Sequence, residues 1–124
     1  MPIKIDQPTI IEAAGNKFKT IEEYIGLVNS KTSDVSIARI VSPPGWIELG
    51  QKPEFTEYTV VLKGILQVKT SYEVFIIHAG EAIIVNANEW VQYSTPGDDG
   101  AEYISVCIPA FSQNSVHRDE VKMT

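Results

Sequence analysis

Cysteine is almost absent. The single thiol, Cys107, excludes an internal disulfide framework and any cysteine-rich zinc site. Basic residues are outnumbered, 10 against 16 acidic, giving a formal charge of −6. That balance argues against a nucleic-acid partner, whose phosphates need a basic face, and against electrostatic docking to a membrane. No stretch approaches the ~20 apolar residues of a membrane span. The start, Met1 to Asp6, lacks the charged-then-apolar layout of a signal peptide, so the cytoplasm is the expected compartment. No glycine-rich phosphate loop, nucleophile elbow or nucleotide fingerprint occurs. What remains is a chain of 124 residues, 44% hydrophobic and 21% charged, enough for one domain with a real core.

The chain divides into three parts: an arm over 1–33, a strand-rich segment over 34–110 and a tail over 111–124. In the arm, Thr20-Ile-Glu-Glu23 fits a capping box, with Ile21, Tyr24, Ile25 and Val28 following at helical spacing. The spacing predicts a short helix near 20–26. From Val35 onward short β-rich runs alternate with turn clusters. The runs are 35–41, 46–49, 57–62, 65–69, 73–77, 82–85, 90–94 and 103–108. Ser42-Pro-Pro-Gly45, Gly50-Gln-Lys-Pro53, Lys63-Gly64, Ala79-Gly80 and Thr95 to Gly100 are among the breaks. No helical run separates the strands, so the pattern predicts an all-β sandwich or barrel and not a parallel βαβ fold. Alternation puts Glu57, Thr59 and Val61 on one face of their strand and Tyr58, Val60 and Leu62 on the other. The run 82–85 is apolar on both faces and needs cover on both, either from the arm or from a second subunit. A homodimer using both is the expectation, with the arm on its own barrel or swapped to the partner.

Two stretches carry a family resemblance. Gly50-Gln-Lys-Pro-Glu-Phe-Thr-Glu-Tyr-Thr-Val-Val-Leu-Lys-Gly64 resembles the first motif of the cupin superfamily, with Glu57 and Gly64 at the required separation. Gly80-Glu-Ala-Ile-Ile-Val-Asn-Ala-Asn-Glu-Trp-Val91 resembles the second. The likeness covers roughly 35–110 and implies a cupin-type jelly-roll β-barrel, usually dimeric, here with the short N-terminal helix added. Cupin metal sites generally rest on three histidines and one carboxylate. In this register the histidine positions fall on Gln51, Pro53 and Val91, and only Glu57 keeps a ligand-type side chain. The resemblance with those departures implies no classical metal site and no cofactor. The closing stretch Tyr103-Ile-Ser-Val-Cys-Ile-Pro-Ala110 and the missing histidines are similar to the cupin associated with ethanolamine utilisation.

The candidate site residues follow from that register. Glu57 points inward, where desolvation raises a carboxyl pKa and suits it to acid–base work or to orienting a polar ligand. Tyr93 shares a strand face with Val91 and is the second catalytic candidate. Gln51, Glu54, Glu57, Tyr93 and Tyr103 are the expected ligand contacts, with Trp90 as a further aromatic wall. Glu54 either flanks the cavity beside Glu57 or is a solvated loop acid. His117 either folds over the barrel mouth towards Glu57 or is an exposed tail residue. Cys107 reads as a small buried side chain, and Arg39 and Arg118 as salt-bridge partners. The expected function is binding of a small polar ligand in the barrel. The alternatives are an enzyme, working by isomerase- or epimerase-like acid–base catalysis or through an unconventional metal site of Glu54, Glu57 and His117, and a structural module with a filled barrel.

Overall fold

A computed structural model describes residues 1–120; residues 121–124, the end of the expected tail, lie outside the described residues. Nine strands form among the described residues: β1 (Thr9–Ile11), β2 (Thr20–Ile25), β3 (Ser36–Ser42), β4 (Trp46–Ile47), β5 (Thr56–Thr70), β6 (Val74–His78), β7 (Ala82–Val85), β8 (Val91–Thr95) and β9 (Ala101–Ile108). All pairings are antiparallel. One sheet runs β1-β2-β3-β9-β5-β7 and the other β4-β8-β5-β6, with β5 shared. Among the described residues no helix is long and apolar enough to cross a membrane.

The predicted helix near 20–26 is a strand. Thr20 to Glu23 pairs with β3 on one side, and Ile21 to Glu23 pairs with β1 on the other. Glu23 does not reach back to an N-cap. Its carboxylate accepts hydrogen bonds from the backbone N–H groups of Val28 and Asn29, at 3.0 and 2.8 Å, and so closes the turn that follows β2. The acid that imitates a capping box therefore caps a strand exit, and two flanking strands outweigh a weak local preference.

Lys63-Gly64 is not a break either. β5 runs through it for 15 residues, leaving one sheet and entering the other. The crossing needs a slip in register between Val61 and Lys63 and a left-handed residue, Gly64, at φ +74°. A Cβ there would meet the Gly100 carbonyl oxygen at 2.1 Å, so only glycine fits.

The inward faces of both sheets meet in one core. Val61 of the first half of β5 packs with Leu66 and Val68 of the second half, and with Trp46, Val91, Tyr93 and Tyr103. Burying each of Val61, Leu66 and Val68 removes a branched apolar side chain from water, worth roughly 1.5–3 kcal/mol apiece. The outward residues of β5, Tyr58, Val60 and Leu62, stay exposed, as the alternation predicts. Arg39 on β3 ties three strands together. Its guanidinium donates to Glu22 on β2 at 2.5 Å and to Glu102 on β9 at 3.1 Å.

Candidate functional site

A cavity of about 80 Å³ opens inside the barrel. That is about half the volume of a cavity of about 150 Å³ that holds benzene, so there is room for a few non-hydrogen atoms. Much of the lining is apolar, including Ile21, Ile40, Phe55 and Phe111. The polar lining includes Lys19, Glu48, Gln51, Glu57, Tyr93, Ser105 and Arg118.

Glu57 reaches the cavity because β5 alternates, with Thr59 and Val61 buried behind it on the same face. Two hydroxyls hold it: Ser105 Oγ donates to Oε2 at 2.5 Å and Tyr93 Oη to Oε1 at 3.3 Å. Burial pushes its carboxyl up from the ordinary value, while Ser105, Lys19 and Tyr93 pull the other way. Tyr93 is itself pushed well above 10 by burial and then by Glu57 and Glu48, so its hydroxyl is a donor and not a base. Tyr103 shares a hydrogen bond with Ser42, 2.9 Å between the oxygens, and burial raises its pKa too. Burial likewise holds Cys107 as a thiol.

The opposite wall is built by a loop. Residues 14–17 lie along β4. Trp46 Nε1 donates to the Ala14 carbonyl at 3.1 Å, Asn16 N–H to the Ile47 carbonyl at 3.0 Å, and Ile47 N–H to Asn16 Oδ1 at 2.8 Å. The contact is close enough that Gly15, at φ +125°, has no space for a Cβ, which would sit 2.2 Å from Trp46 Nε1. This docking puts the Lys19 ammonium over the Trp46 ring, 4.0 Å from its centre, and 3.8 Å from Glu48 Oε2. Lys19 is 8% exposed and Glu48 6%. Burial dominates both groups. It lowers the amine from its ordinary 10.5 and raises the Glu48 carboxyl to about 7, each against the attraction of the other.

The expected residues divide cleanly. Gln51, Glu57, Tyr93 and Tyr103 line the one cavity; Glu54 does not. Pro53 and Phe55 face inward, so Glu54 between them faces out. There it pairs with His117, whose Nε2 lies 2.5 Å from Glu54 Oε2, both side chains more than half exposed. His117 thus meets Glu54 and not Glu57, and Glu54, Glu57 and His117 share no site. Trp90 is also outside, donating to Asp119 at 2.9 Å. Arg118 lines the cavity instead, its backbone bridged to Gln51. Sequence reasoning missed Lys19, Glu48 and Ser105. For Glu48 the signal was present: Trp46 and Glu48 bracket Ile47 and alternate onto the same inward face.

Two of the motif positions meet across strands. Gln51 and Val91 exchange backbone hydrogen bonds of 2.9 and 2.8 Å, so the first and third histidine positions are cross-strand neighbours. An amide, a pyrrolidine and an isopropyl group stand there with Glu57, and this donor set does not fit a transition metal.

No family model matches the chain. Over 98% of its length it superposes on 87% of the polyketide cyclase RemF from Streptomyces resistomycificus, with a TM-score of 0.75 and 13% identity. Over 85% of its length it superposes on 98% of a putative ethanolamine utilisation protein EutQ from Salmonella typhimurium, with a TM-score of 0.65 and 15% identity. The fold is that of a cupin. Within this cupin fold the jelly roll stands as expected, without the N-terminal helix. In sequence, the chain is 38% identical over 104 residues to the endoribonuclease YbeY of Myxococcus xanthus (strain DK1622). That match takes in 84% of the chain but 35% of the relative, so the chain spans about a third of that protein's length.

Proposed function

We propose that this cupin binds a small polar molecule in its barrel, of a few non-hydrogen atoms and bearing hydrogen-bond donors and an acceptor. One observation carries this reading. Glu48 Oε1, Gln51 Oε1 and Arg118 Nε are buried, have no hydrogen-bond partner among the described residues, and belong to side chains lining the same cavity. An unpaired buried polar atom costs about 1–3 kcal/mol, and three around one cavity are a cost that a ligand would remove. Saturation-transfer NMR against polyols, amino alcohols and hydroxy acids of that size tests it. At least one compound is expected to bind, with Glu48→Gln weakening it by about tenfold or more. No binding at about 10 mM from any of the three classes sinks the reading.

A second reading, acid–base catalysis, is favoured by the raised pKa of Glu57 together with its two-point hydroxyl support. Glu57 would take a proton from carbon while Tyr93 serves as a hydrogen-bond donor. Exchange of a bound ligand's C–H for deuterium in heavy water, abolished by Glu57→Gln, is the expected outcome. An RNA substrate is not part of this proposal, since a formal charge of −6 repels a polyanion.

The expected homodimer is retained as a proposal on the outer face of the β5-containing sheet. Tyr58, Val60 and Leu62 on β5, Ile84 on β7 and Ile108 on β9 are exposed there, with Ile84 and Val106 opposite Tyr58 in register. So broad an apolar strip is rare on a monomer, and a second copy brings the same uncharged strip to it. Light scattering should give a dimer mass, and Val60→Asp a monomer.

A further inference from the structure

The proposed binding function does not use the amine of Lys19. The other described lysines lie on the surface, but Lys19 lines the cavity. A buried ammonium needs hydrogen bonds to offset its lost hydration, and this one has none to the described residues. Its nearest carboxylate oxygen, on Glu48, stands 3.8 Å away, beyond hydrogen-bonding distance. The Trp46 ring covers one side, and Ile21 and Ile40 are apolar neighbours on the same cavity lining. The charged groups around it are Glu48, Glu57 and Arg118, two acids against one further cation.

We propose that Lys19 captures small aldehydes or ketones in the cavity as a reversible imine, with Glu48 carrying the protons. The proposal rests on the reading that the cavity admits a small molecule. The Nζ lone pair attacks the carbonyl carbon, and the carbonyl π pair moves to oxygen. Glu48 carries the proton from nitrogen to that oxygen, giving a carbinolamine. Glu48 then protonates the hydroxyl, which leaves as water as the nitrogen lone pair forms C=N, and the carboxylate left behind takes the remaining N–H proton, so Glu48 ends as it began. Water is the only product besides the imine, nothing is oxidised or reduced, and hydrolysis runs the same steps backwards. Burial favours both partners in the states this needs, an uncharged amine and a carboxyl that titrates near neutrality.

Butanal, with five non-hydrogen atoms, is the probe; cyanoborohydride fixes any imine, and peptide mass mapping gives the rate at each lysine. Butan-1-ol is its unreactive counterpart of nearly the same shape. Lys19 is expected to be labelled at least about tenfold faster than the exposed Lys63 and Lys69, and butan-1-ol to slow Lys19 alone. Labelling of Lys19 no faster than Lys63 overturns the proposal. If butan-1-ol still shifts the NMR signals of Tyr103 and Phe111 in that case, cavity binding stands and only the amine chemistry fails. If it shifts neither, both fail. Fast labelling that butan-1-ol does not slow overturns the proposal too, because the amine is then reached from outside.

Discussion

Glu57 and Glu48 face the same cavity and are held in opposite ways. Glu57 has both carboxylate oxygens engaged by hydroxyls, from Ser105 and Tyr93. Glu48 has one oxygen near Lys19 and the other without a partner among the described residues. The first sits near the start of a long strand, paired on both sides; the second follows the two-residue β4, and its surroundings depend on a docked loop. The difference teaches that rigid strands complete a polar group's partners within the fold, whereas a short strand backed by a loop leaves them open for a ligand.

The largest way to break this comparison is Gly15→Ala. A Cβ placed 2.2 Å from Trp46 Nε1, at a left-handed φ, forces the loop off β4. A loss of about 3 kcal/mol in urea unfolding is expected, with a red shift of Trp46 fluorescence. A loss below about 1 kcal/mol would mean that the loop does not hold the Glu48 wall.

Next is pH. Glu48 titrates near its ordinary 4.5 when unfolded and near 7 when folded. Between those values the unfolded chain has released a proton that the folded chain keeps, so stability falls as pH rises. The expected loss from pH 4.5 to 7 is up to about 3 kcal/mol. Glu57 acts in the same direction. Lys19 acts oppositely, but in a window that extends up to its ordinary 10.5. Denaturation curves at pH 5 and 7 should therefore differ in the wild type and lie closer together in Glu48→Gln; an unchanged gap would contradict the assignment.

Ser105→Ala sharpens the other half. It strips one donor from a buried carboxylate and should cost about 1–3 kcal/mol, with Tyr93 left as the remaining support. A neutral result would show Glu57 to be no better fixed than Glu48. The smallest effect is expected outside the cavity. Glu54→Gln removes one half of an exposed pair and should change stability by no more than about 0.5 kcal/mol while leaving ligand binding intact.

Much of the fold was legible because turn chemistry and alternation are local signals. Pro43-Pro44-Gly45 and Gly97 to Gly100 end strands, and Glu57-Thr59-Val61 announces its face over five residues. The helix misreading at 20–26 and the break misplaced at Lys63-Gly64 share one cause. In both places, pairing with strands distant in sequence decided the backbone, and local residue preference did not. The cavity was half legible for the same reason. Gln51, Glu57, Tyr93 and Tyr103 belong to motif positions or regular strands. Lys19 and Glu48 are 29 positions apart, and hydrogen bonds of residues 14–17 with β4 bring them together. Glu54 was misplaced because a carboxylate three residues from another was read as its neighbour, while the inward turn of Pro53 and Phe55 faces it outward.

β5 runs without interruption through both sheets and hydrogen-bonds to β6, β7, β8 and β9. Neither sheet can then peel away while its neighbour stays intact, because both hang on the same spine. Its amides should be the last in the molecule to exchange with solvent, at the rate of complete unravelling, so that opening the container and losing it are one event.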